Sequence, residues 1–367
     1  MPVSRQIVHY DLANIYYSSF FTTGFSANAA RLRYRFRFAK DVPAILTNAF
    51  VDQEGLRDLR LILLFQAQLG SESFYFCIDT RDSVDLPHRG GRPHLLLLDV
   101  VKYYFKVNFS QHLVDNDPDL NAYAGKILPA APFFPVATQA MRFRLPRLTP
   151  YPAALWGPED VLLRFKGNVR MRTSQQVLKL RQCKKTHDVF FVSRYYAEAY
   201  HEPWMEFRYE TMREIRRQAG IQSICGFVSD YDLPSKFADL RLRKLSFARY
   251  MRSLAAAKIA VYVRGLHDCV SFKFSEFLAL GLPIVGQSVA NDVEVVLRSG
   301  QLREQLRFDT PNEIVARVGE LLANDEERAR LAAESVRLFD AHLSPEVVTR
   351  RILDDLGFGR PPSSVQL

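Results

Sequence analysis

The chain has 367 residues, of which 48% are hydrophobic and 24% are charged. This composition is that of an ordinary globular protein with room for two hydrophobic cores, and the lack of internal repeats excludes solenoid and fibrous proteins. The formal net charge of +9 favours anionic ligands without choosing between nucleotide diphosphates, acidic lipid headgroups and nucleic acid.

Neither a secretion signal nor a membrane-spanning segment is recognisable in the sequence. The first ten residues lack the pattern of a signal peptide, and no apolar run approaches the roughly 18 residues that span a bilayer. We therefore expect a cytoplasmic protein, with peripheral association to the inner membrane face left open by the basic charge. The four cysteines are far apart and are expected to be reduced packing residues.

The first half alternates short apolar runs with longer periodic ones, which indicates a parallel sheet flanked by helices. Strands are expected at 6–10, 44–50, 74–79 and 104–108, and a crossover helix at 54–69. Periodicity is then lost from about 137 to 185, where prolines accumulate, and this suits a domain boundary.

The alternation resumes in the second half. Strands are expected at 188–193, 221–228 and 258–263, and helices at 205–219 and 234–257. Three later helices have clear start signals: Thr310 opens a capping box, Asn324 stands three residues before a glutamate, and Ser344 precedes a proline.

Residues 271–286 combine a short helix, a forced stop and a buried strand. Ser271 is placed to cap the helix, Gly281 suits the left-handed position after its end, and Pro283 prevents its continuation. Lys273 and Glu276 lie one turn apart at the start of this helix, where free backbone amides attract anions. The alternative is a surface ion pair on an ordinary packing helix.

This segment resembles the donor-nucleotide element of glycosyltransferases with the GT-B fold. The resemblance implies that Glu276 accepts hydrogen bonds from the ribose of a nucleotide-sugar, and that Ser271, Phe272 and Lys273 border its diphosphate. Many retaining members carry a second acid eight residues before that glutamate, where this chain has Asp268. The resemblance also implies an α/β fold of two Rossmann-like domains facing across a cleft.

Two arginines are candidate diphosphate contacts. Arg194 ends the phrase Phe-Val-Ser-Arg, which is similar to the Val-Gly-Arg that opens the second domain of many GT-B enzymes. Arg264 follows the strand at 258–263. A guanidinium suits this role because its fork contacts two phosphate oxygens at once. The alternative for Arg194 is a surface arginine beside Tyr195 and Tyr196.

The base that would deprotonate an acceptor is expected at the ends of strands in the first domain. His9 and Asp11 lie at the end of the opening strand, and Asp79 ends another, where open parallel sheets bind ligands. The alternative for the aspartates is turn formation through their own backbone.

No metal or cofactor is expected beyond the nucleotide-sugar itself, which acts as co-substrate. The triplets at 115–117 and 230–232 have Asp-x-Asp spacing, but such triplets are common in loops, and GT-B enzymes generally need no metal. No zinc spacing and no sequence-specific nucleic-acid motif is present.

These features together predict a metal-independent glycosyltransferase that moves a sugar from a nucleotide-sugar to a saccharide, lipid-linked or small-molecule acceptor. Two alternatives stay open: a nucleotide-sugar epimerase or hydrolase of the same fold, and a non-catalytic polyanion-binding protein. The expected domains are an acceptor-side domain at 1–140, a linker at 141–186, a nucleotide-sugar domain at 187–342, a helix at 343–358 that crosses back to the first domain, and a tail at 359–367.

Overall fold

The protein is described by a computed structural model. The described residues are 5–10, 15–39, 41–50, 61–82, 94–142, 166, 169–197, 202–293 and 299–359. The chain forms two compact units. The first comprises Met1–Thr173, Asn291–Val293 and His342–Leu367, and the second Ser174–Ala290 and Glu294–Ala341.

The strands and helices follow one another along both units. The strands are β1 (Arg5–Tyr10), β2 (Arg35–Ala39), β3 (Ile62–Leu69), β4 (Glu72–Asp79), β5 (Tyr103–Lys106), β6 (Ile127–Pro129), β7 (His187–Arg194), β8 (Ser223–Val228), β9 (Ala257–Tyr262) and β10 (Ile284–Gly286). The helices are α1 (Ile15–Arg31), α2 (Ala44–Thr47), α3 (Leu95–Val100), α4 (Gln111–Asn116), α5 (Pro118–Asn121), α6 (Gln139–Arg142), α7 (Ser174–Leu178), α8 (Glu202–Arg217), α9 (Phe247–Ala255), α10 (Phe272–Ala279), α11 (Gly300–Gln305), α12 (Pro311–Ala323), α13 (Asp325–Leu338) and α14 (Pro345–Asp355).

The sheet of the first unit has the order β2-β1-β3-β4-β5-β6 and is mixed. Strand β3 runs antiparallel to both of its neighbours, β1 and β4, while the other pairs are parallel. The expectation of a helix at 54–69 is therefore wrong for its second half, which is β3; residues 51–60 lie outside the described ranges. The expected strand at 44–50 is also wrong, because this segment forms α2 and a 3-10 turn.

The terminal helix α14 packs along α1 within the first unit. The buried amide of Asn28 on α1 donates hydrogen bonds to the carbonyl oxygen of Glu346 (2.8 Å) and to the hydroxyl of Thr349 (3.0 Å). Both acceptors lie on α14, so specific polar contacts as well as apolar packing fix this helix.

The sheet of the second unit is entirely parallel, in the order β10-β9-β7-β8. Its core is apolar on both faces, as a parallel sheet between helices requires. The expected α/β class is thus confirmed. The strand order reverses between β7 and β9, and the crevice at such a switch point is where doubly wound sheets bind ligands.

One helix of the second unit differs from expectation. The predicted long helix at 234–257 is a 3-10 segment, Ser235–Leu240, followed by an extended stretch and then α9. The extended stretch adds to the sheet, because the amide of Leu242 donates to the carbonyl oxygen of Phe227 on β8 (2.8 Å). In the described part of the chain, no helix has the length and apolarity needed to cross a bilayer.

Candidate nucleotide site

Helix α10 begins at the carboxyl edge of the second sheet. Ser271 occupies its N-cap position with extended backbone, but its hydroxyl makes no capping bond. Because the Ser271 hydroxyl does not accept hydrogen bonds from the first-turn amides, those amides are able to donate to an anion. The helix ends as expected at Gly281, whose φ of +66° is the left-handed conformation.

Lys273 connects α10 to the switch point. Its side chain is partly buried and donates a hydrogen bond to the carbonyl oxygen of Val192 on β7. Burial lowers the pKa of the Lys273 ammonium to about 7, and the positive charge of Arg208 acts in the same direction. The negative charge of Glu276 raises the pKa of Lys273, but by less than burial and Arg208 lower it. The charged form of Lys273 is therefore destabilised in this environment.

Glu276 is a buried carboxylate, only 5% exposed, on the next turn of α10. Its Oε2 accepts a hydrogen bond of 2.8 Å from the hydroxyl of Tyr250 on α9. Among the described residues, Oε1 has no hydrogen-bond partner. Burial raises the pKa of Glu276 to about 6, although Tyr250 and Lys273 both favour the ionised form. Tyr250 thus fixes one carboxylate oxygen of Glu276, and the hydrogen-bonding capacity of the other is unused by the described residues.

Arg264 and Asp268 shape the loop between β9 and α10. The Arg264 guanidinium donates to the carbonyl oxygen (2.8 Å) and hydroxyl (2.6 Å) of Ser288 and lies 3.4 Å from an Asp268 carboxylate oxygen. Asp268 itself has a positive φ of 60°. Because the guanidinium is already engaged by the protein, these contacts favour a loop-fixing role for Arg264 over direct phosphate binding.

Arg194 lies at the exposed end of β7 and forms an ion pair of 2.8 Å with Asp230. Lys244 pairs with the same carboxylate, and Asp232 pairs with Arg241. Both aspartates of the triplet at 230–232 are therefore paired with basic side chains. In the triplet at 115–117, Asp117 accepts hydrogen bonds from the first amides of α5. Within the described ranges, no group of three or more His, Cys, Asp or Glu side chains is placed to hold a metal ion.

The structure gives no support to His9 as the acceptor base. Its side chain is fully buried in β1, with Nδ1 3.2 Å from the carbonyl oxygen of Leu64 and the ring packed on Phe65 at 4.6 Å between centroids. This is the environment of a core histidine, because an acceptor hydroxyl has no access to it. Asp11, the other predicted base, lies outside the described residues.

Asp79 is likewise a structural group. It is fully buried and receives the guanidinium of Arg81 in a two-pronged pair, while Tyr104 donates to its Oδ2 at 2.6 Å. Burial alone would raise the pKa of Asp79, but Arg81 and the buried Lys106 hold it down at about 2. A carboxylate this acidic cannot serve as a base near neutral pH.

We expect Tyr104→Phe to lower the free energy of unfolding by about 1–2 kcal/mol, because a buried carboxylate loses its hydroxyl donor. The matched control is Tyr123→Phe, whose hydroxyl also donates to an aspartate but at the surface. That change should cost below about 0.5 kcal/mol. Denaturant unfolding of both variants measures the difference, and equal losses would contradict the structural role of the Asp79 cluster.

Two residues near the site, Arg208 and Tyr250, were not identified in the sequence analysis, although the sequence around each of them contains a recognisable pattern. Arg208 lies on the apolar stripe of α8, at helical spacing between Met205 and Met212, and is only 5% exposed. A charged residue on a buried stripe is uncommon enough to mark a functional position. Tyr250 follows Phe247 by three residues on α9, and Ser246 caps that helix.

The site segment lies within the part of the chain that matches a known family. Residues 209–354 match the family described as glycosyl transferase-like. No curated protein matches the chain.

Similar solved structures are distant. BGT of T4 phage, a mutant in complex with UDP-glucose, has 10% identity and a TM-score of 0.41 over 96% of this chain and 97% of that one. HepE of Anabaena with UDP-glucose has 11% identity and a TM-score of 0.43 over 75% and 70%.

A candidate UDP-N-acetylglucosamine 2-epimerase from Listeria monocytogenes has 11% identity and a TM-score of 0.37 over 72% of this chain and 70% of that one. At these TM-scores none of the three likenesses supports a conclusion about this chain. The family match agrees with the sequence resemblance: residues 209–354, which hold α10, are similar to the glycosyl transferase-like family.

Proposed function

We propose that this protein is a metal-independent glycosyltransferase that takes a sugar from a nucleotide-sugar donor to an acceptor hydroxyl. The observation that carries the proposal is the position of Lys273 and Glu276 on α10, beside the point where β7 and β9 diverge. Buried ionisable groups with shifted pKa values at a switch point are typical of ligand sites. The family match over 209–354 supports the same chemistry.

In the proposed complex, Glu276 binds the ribose of the donor. Its free Oε1 accepts a ribose hydroxyl while Tyr250 holds Oε2, so that the carboxylate is fixed before the donor arrives. The first-turn amides of α10 and the Lys273 ammonium face the diphosphate. A dianion there favours the protonated form of Lys273, and donor binding is therefore accompanied by proton uptake near neutral pH.

The reaction forms a bond between the acceptor oxygen and the anomeric carbon and breaks the bond from that carbon to the diphosphate. The electron pair of the broken bond stays on the nucleoside diphosphate, and the acceptor proton passes to a base. Positive groups at α10 stabilise the charge that develops on the leaving diphosphate. For the base, Asp11 stays a prediction from the sequence. The acceptor is a saccharide, a lipid-linked molecule or a small alcohol.

Thermal stabilisation against a panel of nucleotides and nucleotide-sugars tests the donor assignment. A donor at about 100 times its Kd should add about 2.7 kcal/mol to the free energy of unfolding. We expect selective stabilisation by one nucleotide-sugar, followed by a glycosylated product only when an acceptor is added. Turnover of donor alone would identify an epimerase or hydrolase instead. Stabilisation by polyanions without any nucleotide effect would contradict the transferase.

A further inference from the structure

Arg208 is a buried cation that has no counter-ion among the residues that the structure describes. Its side chain is 5% exposed, and its Nη2 donates to the carbonyl oxygen of Arg264 at 2.8 Å. The Nε atom is buried without a hydrogen-bond partner, and no carboxylate of the described residues lies within ion-pair distance. Burial lowers the pKa of this guanidinium, yet an arginine stays charged in any folded protein.

Two further donors lie within electrostatic reach of Arg208. Tyr262, at the end of β9, is 1% exposed, and its hydroxyl is buried without a partner. Burial is the main cause of the lowered pKa of Lys273 on α10, and the positive charge of Arg208 lowers it further. Arg208, Tyr262 and Lys273, here called the Arg208 cluster, therefore combine two cationic groups with one neutral donor.

The direction of the Arg208 side chain places this cluster at the carboxyl edge of the sheet. Helical side chains point back toward the start of their own helix, and α8 is the helix that follows β7. The guanidinium of Arg208 also donates a hydrogen bond to the carbonyl oxygen of Arg264, which lies just after the carboxyl end of β9. The cluster therefore lies where β7 and β9 diverge, on the same edge as the first turn of α10.

An uncompensated arginine and an unpaired hydroxyl are costly to bury. Buried charges in native proteins are nearly always paired, and a buried unpaired donor loses the hydrogen bonds that it made to water in the unfolded chain. A fold that keeps two such groups beside a destabilised lysine is suited to an anion that satisfies all three. Phosphate oxygens are the acceptors that match a guanidinium and an ammonium.

We infer that the Arg208 cluster is the subsite for the diphosphate of the donor, with Arg208 as a binding residue supplied by α8. The inference rests on the proposed function for the identity of the ligand, but the anion subsite itself can be tested separately. Arg194, which was predicted from the sequence as a diphosphate contact, is exposed and paired with Asp230, so its charge is already compensated.

Calorimetric binding of inorganic pyrophosphate to the parent protein and to Arg208→Met tests this subsite. We expect the variant to lose at least about tenfold in affinity, since it lacks a charge-assisted pair of hydrogen bonds. Its thermal midpoint without ligand should be equal or higher, because methionine buries no charge. Arg213→Met, an exposed arginine on the same helix, is the control and should change neither quantity.

The outcomes separate this inference from the proposed function. Unchanged pyrophosphate affinity in Arg208→Met, or no pyrophosphate binding by the parent, would overturn the subsite even if a nucleotide-sugar binds. If pyrophosphate binding depends on Arg208 but no nucleotide binds, the anion subsite would be supported and the proposed glycosyltransferase function would be contradicted. If Arg208→Met does not fold, Arg208→Lys replaces it; lysine keeps the charge but not the fork, and affinity equal to that of the parent would again overturn the subsite.

Discussion

Glu276→Ala is expected to weaken donor binding by roughly 100-fold, the largest effect of any single change at this site. A buried carboxylate that accepts ribose hydroxyls contributes charge-assisted hydrogen bonds of about 1.5–3 kcal/mol each. Alanine removes these acceptors and also leaves the Tyr250 hydroxyl without its partner. Calorimetry or thermal shift with the donor found in the nucleotide panel measures the loss.

The effect of Glu276→Ala should depend on the ligand. Inorganic pyrophosphate lacks a ribose, so its affinity should stay within about twofold of the parent value or rise slightly, because the anion no longer faces a carboxylate. Glu304→Ala, an exposed glutamate on α11, should leave donor affinity unchanged. Donor affinity that is insensitive to Glu276→Ala would remove the main support for the nucleotide site.

The local signals around α10 were sufficient to predict this helix because its limits depend on neighbouring residues. Gly281 and Pro283 end it through backbone conformation alone, and Thr310 and Asn324 start α12 and α13 through capping bonds that the structure confirms. Such signals act over three or four residues, so a single sequence is enough to reveal them.

Elements that depend on distant partners were the ones predicted wrongly. The leucines at helical spacing that predicted a helix, Leu56, Leu59 and Leu63, reach only the start of β3. This strand is hydrogen bonded on both sides, to β1 and β4, and its first four residues are all buried. Gly70, with a φ of +67°, closes the hairpin to β4. The apolar periodicity of a short segment does not distinguish a buried strand from a helix, so tertiary pairing decided the outcome.

The pairing of Tyr250 with Glu276 could not be predicted from the sequence, and the only sequence signal for the burial of Arg208 is its place on the apolar stripe of α8. Both arise because α8, α9 and α10, which are far apart in the chain, all contact the sheet of the second unit. The sequence predicted the helix α10 and the charges that it carries. It could not predict that Arg264 is engaged by Ser288 while Arg208 is left uncompensated.

Lys273→Met is expected to stabilise the protein without ligand, and by an amount that depends on pH. The pKa of Lys273 is lowered to about 7 in the folded protein, against 10.5 for an ordinary lysine. Below pH 7 the side chain is charged in both the folded and unfolded states, so the folded state carries the full cost of burying it. Between pH 7 and 10.5 only the unfolded state holds the proton, and this cost falls as pH rises.

The expected result is a free energy of unfolding for Lys273→Met that exceeds the parent value most at pH 7 and below. The advantage should shrink by about 2–4 kcal/mol between pH 7 and pH 10, a range that discounts the full shift for the partial exposure of the side chain. Glu276, with a pKa of about 6, is ionised in the parent throughout this interval and adds no slope of its own. Denaturant unfolding at several pH values measures the difference.

Lys179→Met is the matched control, because this lysine is exposed and should give a difference that is flat with pH. A flat difference for Lys273→Met as well would show that the Lys273 ammonium is not destabilised by burial. Lys273→Met should also weaken pyrophosphate binding, because the variant lacks the ammonium group that faces the anion. A site that gains stability when its lysine is removed, and loses its anion at the same time, holds positive charge for a ligand and not for the fold.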